Sequence, residues 1–158
     1  MTRTRWCQVL TLAMATLAAV TALSCMAPAR AAGQTVTVYK TPTCGCCTAW
    51  VEHLHTQGFR VTATDVSPAH LTAIKHEQGI PPRLHSCHTG VVGPYVIEGH
   101  VPGPIIVRLL QERPAVAGLA VPGMPIGSPG MEGPNPQPYE VFSFDREGQV
   151  HVYEHVVP

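Results

Sequence analysis

Cys44-Gly45-Cys46-Cys47 crowds three thiols into four residues, and the spacing limits what each pair can do. Cys44 and Cys47 form a C-x-x-C pair. One helical turn would hold their Cα atoms about 5 Å apart, inside the window for an unstrained disulfide. Cys46 and Cys47 are adjacent, with Cα atoms about 3.8 Å apart across a trans peptide, too close for relaxed disulfide geometry. An oxidised form therefore pairs Cys44 with Cys47 and leaves Cys46 free, whereas a reduced form offers three thiolates in one turn. Sulfur at that density suits redox chemistry or a soft metal such as Cu(I).

The flanking residues predict the elements that hold this turn. Thr35 to Lys40 is rich in β-branched residues and reads as a strand. After the cysteines, Trp50, Val51 and Leu54 fall on one side of a helix that ends near Gln57-Gly58. The cysteines thus sit at a helix N-terminus, whose unpaired N–H groups and dipole favour thiolate. Phe59 to Thr64 alternates as a second strand, and Ser67-Pro68 opens a second helix that runs to about Gln78 and stops at Gly79. Cys87 to Val92, a Gly93-Pro94 turn and Tyr95 to Glu98 read as a hairpin, and Pro102 to Arg113 as a third helix. The order βαβαββα is that of a thioredoxin-like α/β domain. In that fold the loop entering the third strand faces the cysteine turn, which brings Cys87 towards the other three sulfurs.

Residues 118–138 are dense in Gly and Pro, carry Met124 and Met131, and read as one long loop. A closing hairpin spans residues 139–154, with strands Tyr139 to Phe144 and Val150 to Tyr153. Met124 and Met131 are thioether candidates for a soft metal, expected to fold over the cysteines as a lid; the competing reading makes them core filler. His88 and His100 are imidazole candidates. Strand alternation would turn His88 away from Cys87 if the strand had already begun, and the competing reading of His100 in its Gly-His-Val-Pro turn is a capping or hydrogen-bonded histidine. His53, His55, His70, His76, His85, His151 and His155 show no ligand spacing and read as surface.

Residues 1–31 have the pattern of an export signal: Arg3 and Arg5, an uncharged run from Val9 to Leu23, then Ala-x-Ala at Ala29-Arg30-Ala31. Two alternatives are a retained membrane anchor and a weak lipoprotein site at Leu23-Ser24-Cys25. Each places the folded part outside the cytoplasm, and cleavage after Ala31 predicts a soluble periplasmic protein made of one domain, residues 32–158. Removing the signal leaves seven Lys and Arg against 10 Asp and Glu, which excludes a basic nucleic-acid footprint. Cys44, Cys46, Cys47 and Cys87 remain. Two structural disulfides among these four would need awkward cross-pairings, and three cysteines within four residues do not resemble the separated knuckles of structural zinc sites.

Four stretches together carry a family resemblance: Cys44-Gly45-Cys46-Cys47 with Trp50; Ser86-Cys87-His88-Thr89; Glu98-Gly99-His100-Val101-Pro102; and Gly123-Met124-Pro125 running to Gly130-Met131-Glu132. In these the chain resembles the CopG-type periplasmic copper-resistance proteins, long catalogued as a domain of unknown function, over about Val36 to Tyr153. The resemblance implies copper bound through the cysteine cluster, and a role in changing its oxidation state or passing it on. Copper ions, several Cu(I) per chain, are then the ligand, and a copper-delivery or electron-donor protein the partner. One departure from ordinary thioredoxins points the same way: where they place a cis-proline, this chain has Ser86-Cys87-His88, two of which can ligate metal. The alternative function is a metal-free thiol–disulfide oxidoreductase using only Cys44 and Cys47, which leaves Cys46, Cys87 and the methionines without a use.

Overall fold

The computed structural model describes residues 33–158, so the predicted export signal, residues 1–31, lies outside the described residues. The chain folds as strand β1 (Thr35–Lys40), helix α1 (Gly45–Thr56), β2 (Arg60–Asp65), α2 (Pro68–Glu77), a 3-10 turn (Pro82–Leu84), β3 (His88–Val92), β4 (Tyr95–Gly99) and α3 (Gly103–Glu112). Three strands follow: β5 (Gly118–Val121), β6 (Tyr139–Phe144) and β7 (Val150–Val156). All seven strands form one mixed sheet in the order β2-β1-β3-β4-β5-β6-β7. β1 runs parallel to β2 and antiparallel to β3, and β4 is antiparallel to β3 and parallel to β5.

Each element follows from its sequence. Helix α1 buries Cys47, Trp50, Val51 and Leu54, a stripe at i, i+3, i+4 and i+7. Helix α2 starts where Ser67 accepts a hydrogen bond from the His70 N–H (3.2 Å), with Pro68 at its first position. Helices α1 and α3 share one sheet face, where Trp50, Leu54, Ile106 and Leu109 pack on Val36, Val38, Ile97 and Leu119. Helix α2 covers part of the other face through Leu71 and Ile74, with Tyr39 packed against them. The predicted order of the first seven elements agrees with this architecture. Both faces of the central strands are therefore buried.

One expectation needs correction. Residues 118–138 do not form a single loop, because Gly118–Val121 is a fully buried strand paired with β4 and β6. A β-carbon on Gly118 would lie 2.1 Å from the Val96 carbonyl oxygen, so the glycine that reads as a loop residue is the one that lets β5 approach β4. The Met-bearing loop starts after Val121. The closing hairpin is also longer than expected, with β7 reaching Val156 past an irregularity at Val141/Phe142. It packs back on α3, where Arg108 pairs with Glu154 and lies over the Tyr153 ring. Among the described residues no helix is long and apolar enough to cross a membrane.

Candidate metal centre

The cysteine turn lies at the start of α1. No acidic residue occupies its first turn, and no side chain caps its N-terminus. The Cys44 N–H donates to the Thr41 carbonyl, folding the chain back as it leaves β1. Cys44 and Cys47 are joined in a disulfide, with Cα atoms 5.3 Å apart, the pairing predicted from spacing. Among the described residues Cys46 and Cys87 are the free thiols. The Cys46 sulfur lies 3.6 Å from that of Cys44 and 4.0 Å from that of Cys87. Topology brings the fourth sulfur to the other three, as expected. Burial and the neighbouring Cys46 push the Cys87 thiol up to about 12.

The two imidazoles converge on the same sulfur. His100 Nε2 is 3.0 Å from Cys87 Sγ, and His88 Nδ1 is 3.3 Å from it. The alternation argument against His88 fails, because β3 begins at His88 and Cys87 sits in the bend before it. His88 instead points to the α1 side, where its ring lies 4.3 Å from the Trp50 indole and 4.9 Å from the His100 ring. The indole N–H donates to the Val101 carbonyl (2.9 Å), tying α1 to the segment that carries His100. Burial, then His100 and Lys75, hold His88 well below the ordinary histidine range, and burial likewise lowers His100. Both rings are therefore neutral at pH 7, the form that ligates metal.

His100 Nδ1 lies 2.8 Å from the Pro129 carbonyl, which can only accept. The proton is thus on Nδ1, and the Nε2 lone pair faces Cys87. Metal-binding histidines are commonly fixed this way, with the second ring nitrogen donating to a backbone carbonyl. His100 is thus a hydrogen-bonded histidine, as one of its two competing readings had it, and does not cap α3. On the residues either side of Cys87, Ser86 Oγ and His88 Nε2 are buried without a well-aligned hydrogen bond among the described residues.

The loop after β5 closes this site from outside. It is held by its own hydrogen bonds, Gly127 N–H to Met131 O, Met131 N–H to Ser128 O and Gln137 N–H to Ile126 O. Pro129 receives the His100 bond, and Gly130 is seated against the first turns of α1: a β-carbon there would lie 2.6 Å from Cys46 O and 2.8 Å from Trp50 N. Met124 is 41% exposed and so is not core filler. Met131 is half-buried next to Gly130. Ligand atoms fall into two groups, each with all atoms within 4.8 Å: Cys44, Cys46, Cys47 and Cys87, and then Cys87, His88 and His100. Cys87 belongs to both.

Solved structures with this architecture settle the family. The chain aligns with one named "Copper resistance protein copG- Form 2" at 40% identity and a TM-score of 0.73, over 79% of this chain and 99% of that one. "Copper resistance protein copG- Form 1" aligns at 40% identity and a TM-score of 0.72, over 78% and 98%. The chain belongs to the CopG-type copper-resistance family. A family model described as "Protein of unknown function, DUF411" matches residues 84–131, the stretch that holds Cys87, His88, His100 and the loop as far as Met131. No curated protein matches at a significant level.

Sequence reasoning missed one histidine at the edge of this CopG-type site. His53, expected on the surface, is partly buried and accepts a hydrogen bond from the Gly103 N–H (3.0 Å), capping α3 with the lone pair of Nε2. The only signal was its place on α1, one turn past Trp50 and off the apolar stripe. Burial lowers its pKa, with Glu132 pulling the other way. Protonation would remove the acceptor. The unfolded chain then binds the proton more readily than the native one. Stability from this cap is complete above the ordinary value of about 6.5 and is lost as pH falls through that value towards the lower native one. Thermal unfolding of the metal-free protein should accordingly shift to lower temperature between pH 7.5 and 5.5. The His53→Gln protein, which keeps an acceptor but cannot titrate, should show a smaller shift. An equal shift in both proteins would remove His53 from the account.

Proposed function

We propose that this protein is exported to the periplasm and binds copper there for copper resistance or homeostasis. It holds several Cu(I) ions among Cys44, Cys46, Cys47, Cys87, His88 and His100, with Met124 and Met131 supplied from the covering loop. The observation that carries this reading is the sharing of Cys87 between a four-sulfur group and a Cys-His-His group. A thiolate in that position can bridge ions. Thiolates favour Cu(I), while imidazoles accommodate Cu(II). We read the first four strands and three helices as a thioredoxin-like unit, which places a redox pair at the tip of α1.

That pair gives the site a second role, interconverting the two copper states. In the reduced protein the Cys44 and Cys47 thiols can release two protons and two electrons as their disulfide forms, each of two Cu(II) ions taking one electron to become Cu(I). The reverse reaction reduces the disulfide at the expense of two Cu(I). The oxidised form retains Cys46, Cys87, His88 and His100 as ligands. Copper capacity is thereby tied to the redox state of one disulfide.

Titration against a competing Cu(I) chelator tests the reading. Fully reduced residues 32–158 should bind more than one Cu(I) per chain, and the form with the Cys44–Cys47 disulfide should bind fewer. A ceiling of one ion in the reduced protein contradicts the cluster, and no binding removes copper from the function. A metal-free thiol oxidoreductase would show no such capacity yet would still exchange its disulfide with added dithiols.

A further inference from the structure

Behind the metal centre, on the α2 side of the sheet, lies a buried ion pair. Lys75 of α2 and Glu98 of β4 are 5% and 0% exposed, with Nζ 2.5 Å from Oε1. Lys75 Nζ also donates to Thr89 Oγ1 (2.9 Å). The carboxylate is used on both oxygens. Oε1 accepts the Ser86 N–H (2.5 Å), and Oε2 accepts the Thr89 hydroxyl (2.7 Å).

Ser86 and Thr89 bracket the dipeptide Cys87-His88. One carboxylate therefore grips the chain immediately before and immediately after two of the candidate ligands, and it lies two residues before a third, His100. A buried ion pair is a poor source of stability, since two well-packed apolar residues commonly do as well. Geometry is what this pair supplies: three hydrogen bonds join it to Ser86 and Thr89, on either side of the two ligands. Ligand orientation of this kind is what outer groups provide in metal sites.

We propose that the Lys75–Glu98 pair, with Thr89, is a positioning device that sets Cys87 Sγ and His88 Nδ1 against His100 Nε2. The inference rests on the proposed copper function for its role, though the geometry it predicts exists without metal.

The test uses the protein of residues 32–158 with the paired substitution Lys75→Met and Glu98→Leu, which leaves no buried charge unpaired and so should fold. Cu(I) affinity by chelator competition should fall about tenfold or more, with the unfolding temperature near that of the parent. Thr89→Val should weaken binding in the same direction, and Thr89→Ser, which restores the hydroxyl, should recover it. A folded paired variant with parental affinity would overturn the proposal. If the paired variant does not fold, equal affinities for Thr89→Val and Thr89→Ser would overturn it instead. A metal-free measurement separates this inference from the copper reading. In a Cys46→Ser background with the Cys44–Cys47 disulfide intact, Cys87 is the remaining thiol, and its alkylation rate should rise in the Thr89→Val protein but not in Thr89→Ser. That result with a parent that binds no Cu(I) would keep the positioning role and sink the copper function. Identical rates would sink the positioning role.

Discussion

Replacing Cys87 by serine should weaken Cu(I) binding more than any other single substitution in the chain, by roughly 100-fold or beyond, since changes outside the ligand set already cost 10–100-fold. Cys87 is the sulfur that both ligand groups share, 4.0 Å from Cys46 Sγ and 3.0 Å from His100 Nε2. Removing it separates the groups. Serine keeps the hydrogen-bonding size but is a hard, reluctant ligand for Cu(I). The Cys44–Cys47 disulfide should still form at its normal rate, because dithiol chemistry needs only that pair. Chelator competition and disulfide mapping on the same sample check both halves. Parental copper affinity would mean that the metal is held without Cys87 and that its placement at the centre of the cluster is wrong.

Gly130→Ala carries the second large effect. Gly130 has φ +84°, where an L side chain costs about 1–2 kcal/mol. A β-carbon there would also lie 2.6 Å from Cys46 O and 2.8 Å from Trp50 N, backbone atoms of a packed helix that cannot yield. The loop must lift instead. Lifting it loosens the Pro129 carbonyl from His100 Nδ1 and frees that ring to turn. Cu(I) affinity should drop about tenfold or more, the Cys46 thiol should alkylate faster, and the unfolding temperature should fall by several degrees. Affinity and Cys46 reactivity both at parental values would show that the loop does not close the site.

Local patterns made much of this legible. The β-branched run of β1, the apolar stripe of α1 and the Ser67-Pro68 cap carry their own structural instructions within a few residues, and all three elements occur where those signals lie. The C-x-x-C spacing likewise fixed which cysteines pair. What stayed hidden depends on contacts between distant segments. Gly118–Val121 is four residues, fully buried, with neither alternation nor length to distinguish it from a loop. Nothing in the local pattern pairs Lys75 with Glu98, which lie 23 residues apart in sequence and 2.5 Å apart in space. His88 turned on one boundary: with the strand starting at His88 rather than Cys87, the cysteine is free of alternation and the two neighbours converge.

The stacking of His88 on Trp50 gives the molecule a built-in optical reporter. The sequence has two tryptophans, Trp6 within the predicted signal and Trp50 in α1, so a protein of residues 32–158 carries a single indole. That indole is fully buried and lies 4.3 Å from a candidate ligand ring, while its N–H is held by Val101 beside His100. Its emission comes from one environment, and any ion bound by the imidazoles sits within quenching range. Arrival and departure of metal, and the switching of the neighbouring disulfide, can therefore be followed in the native protein in real time with no label attached.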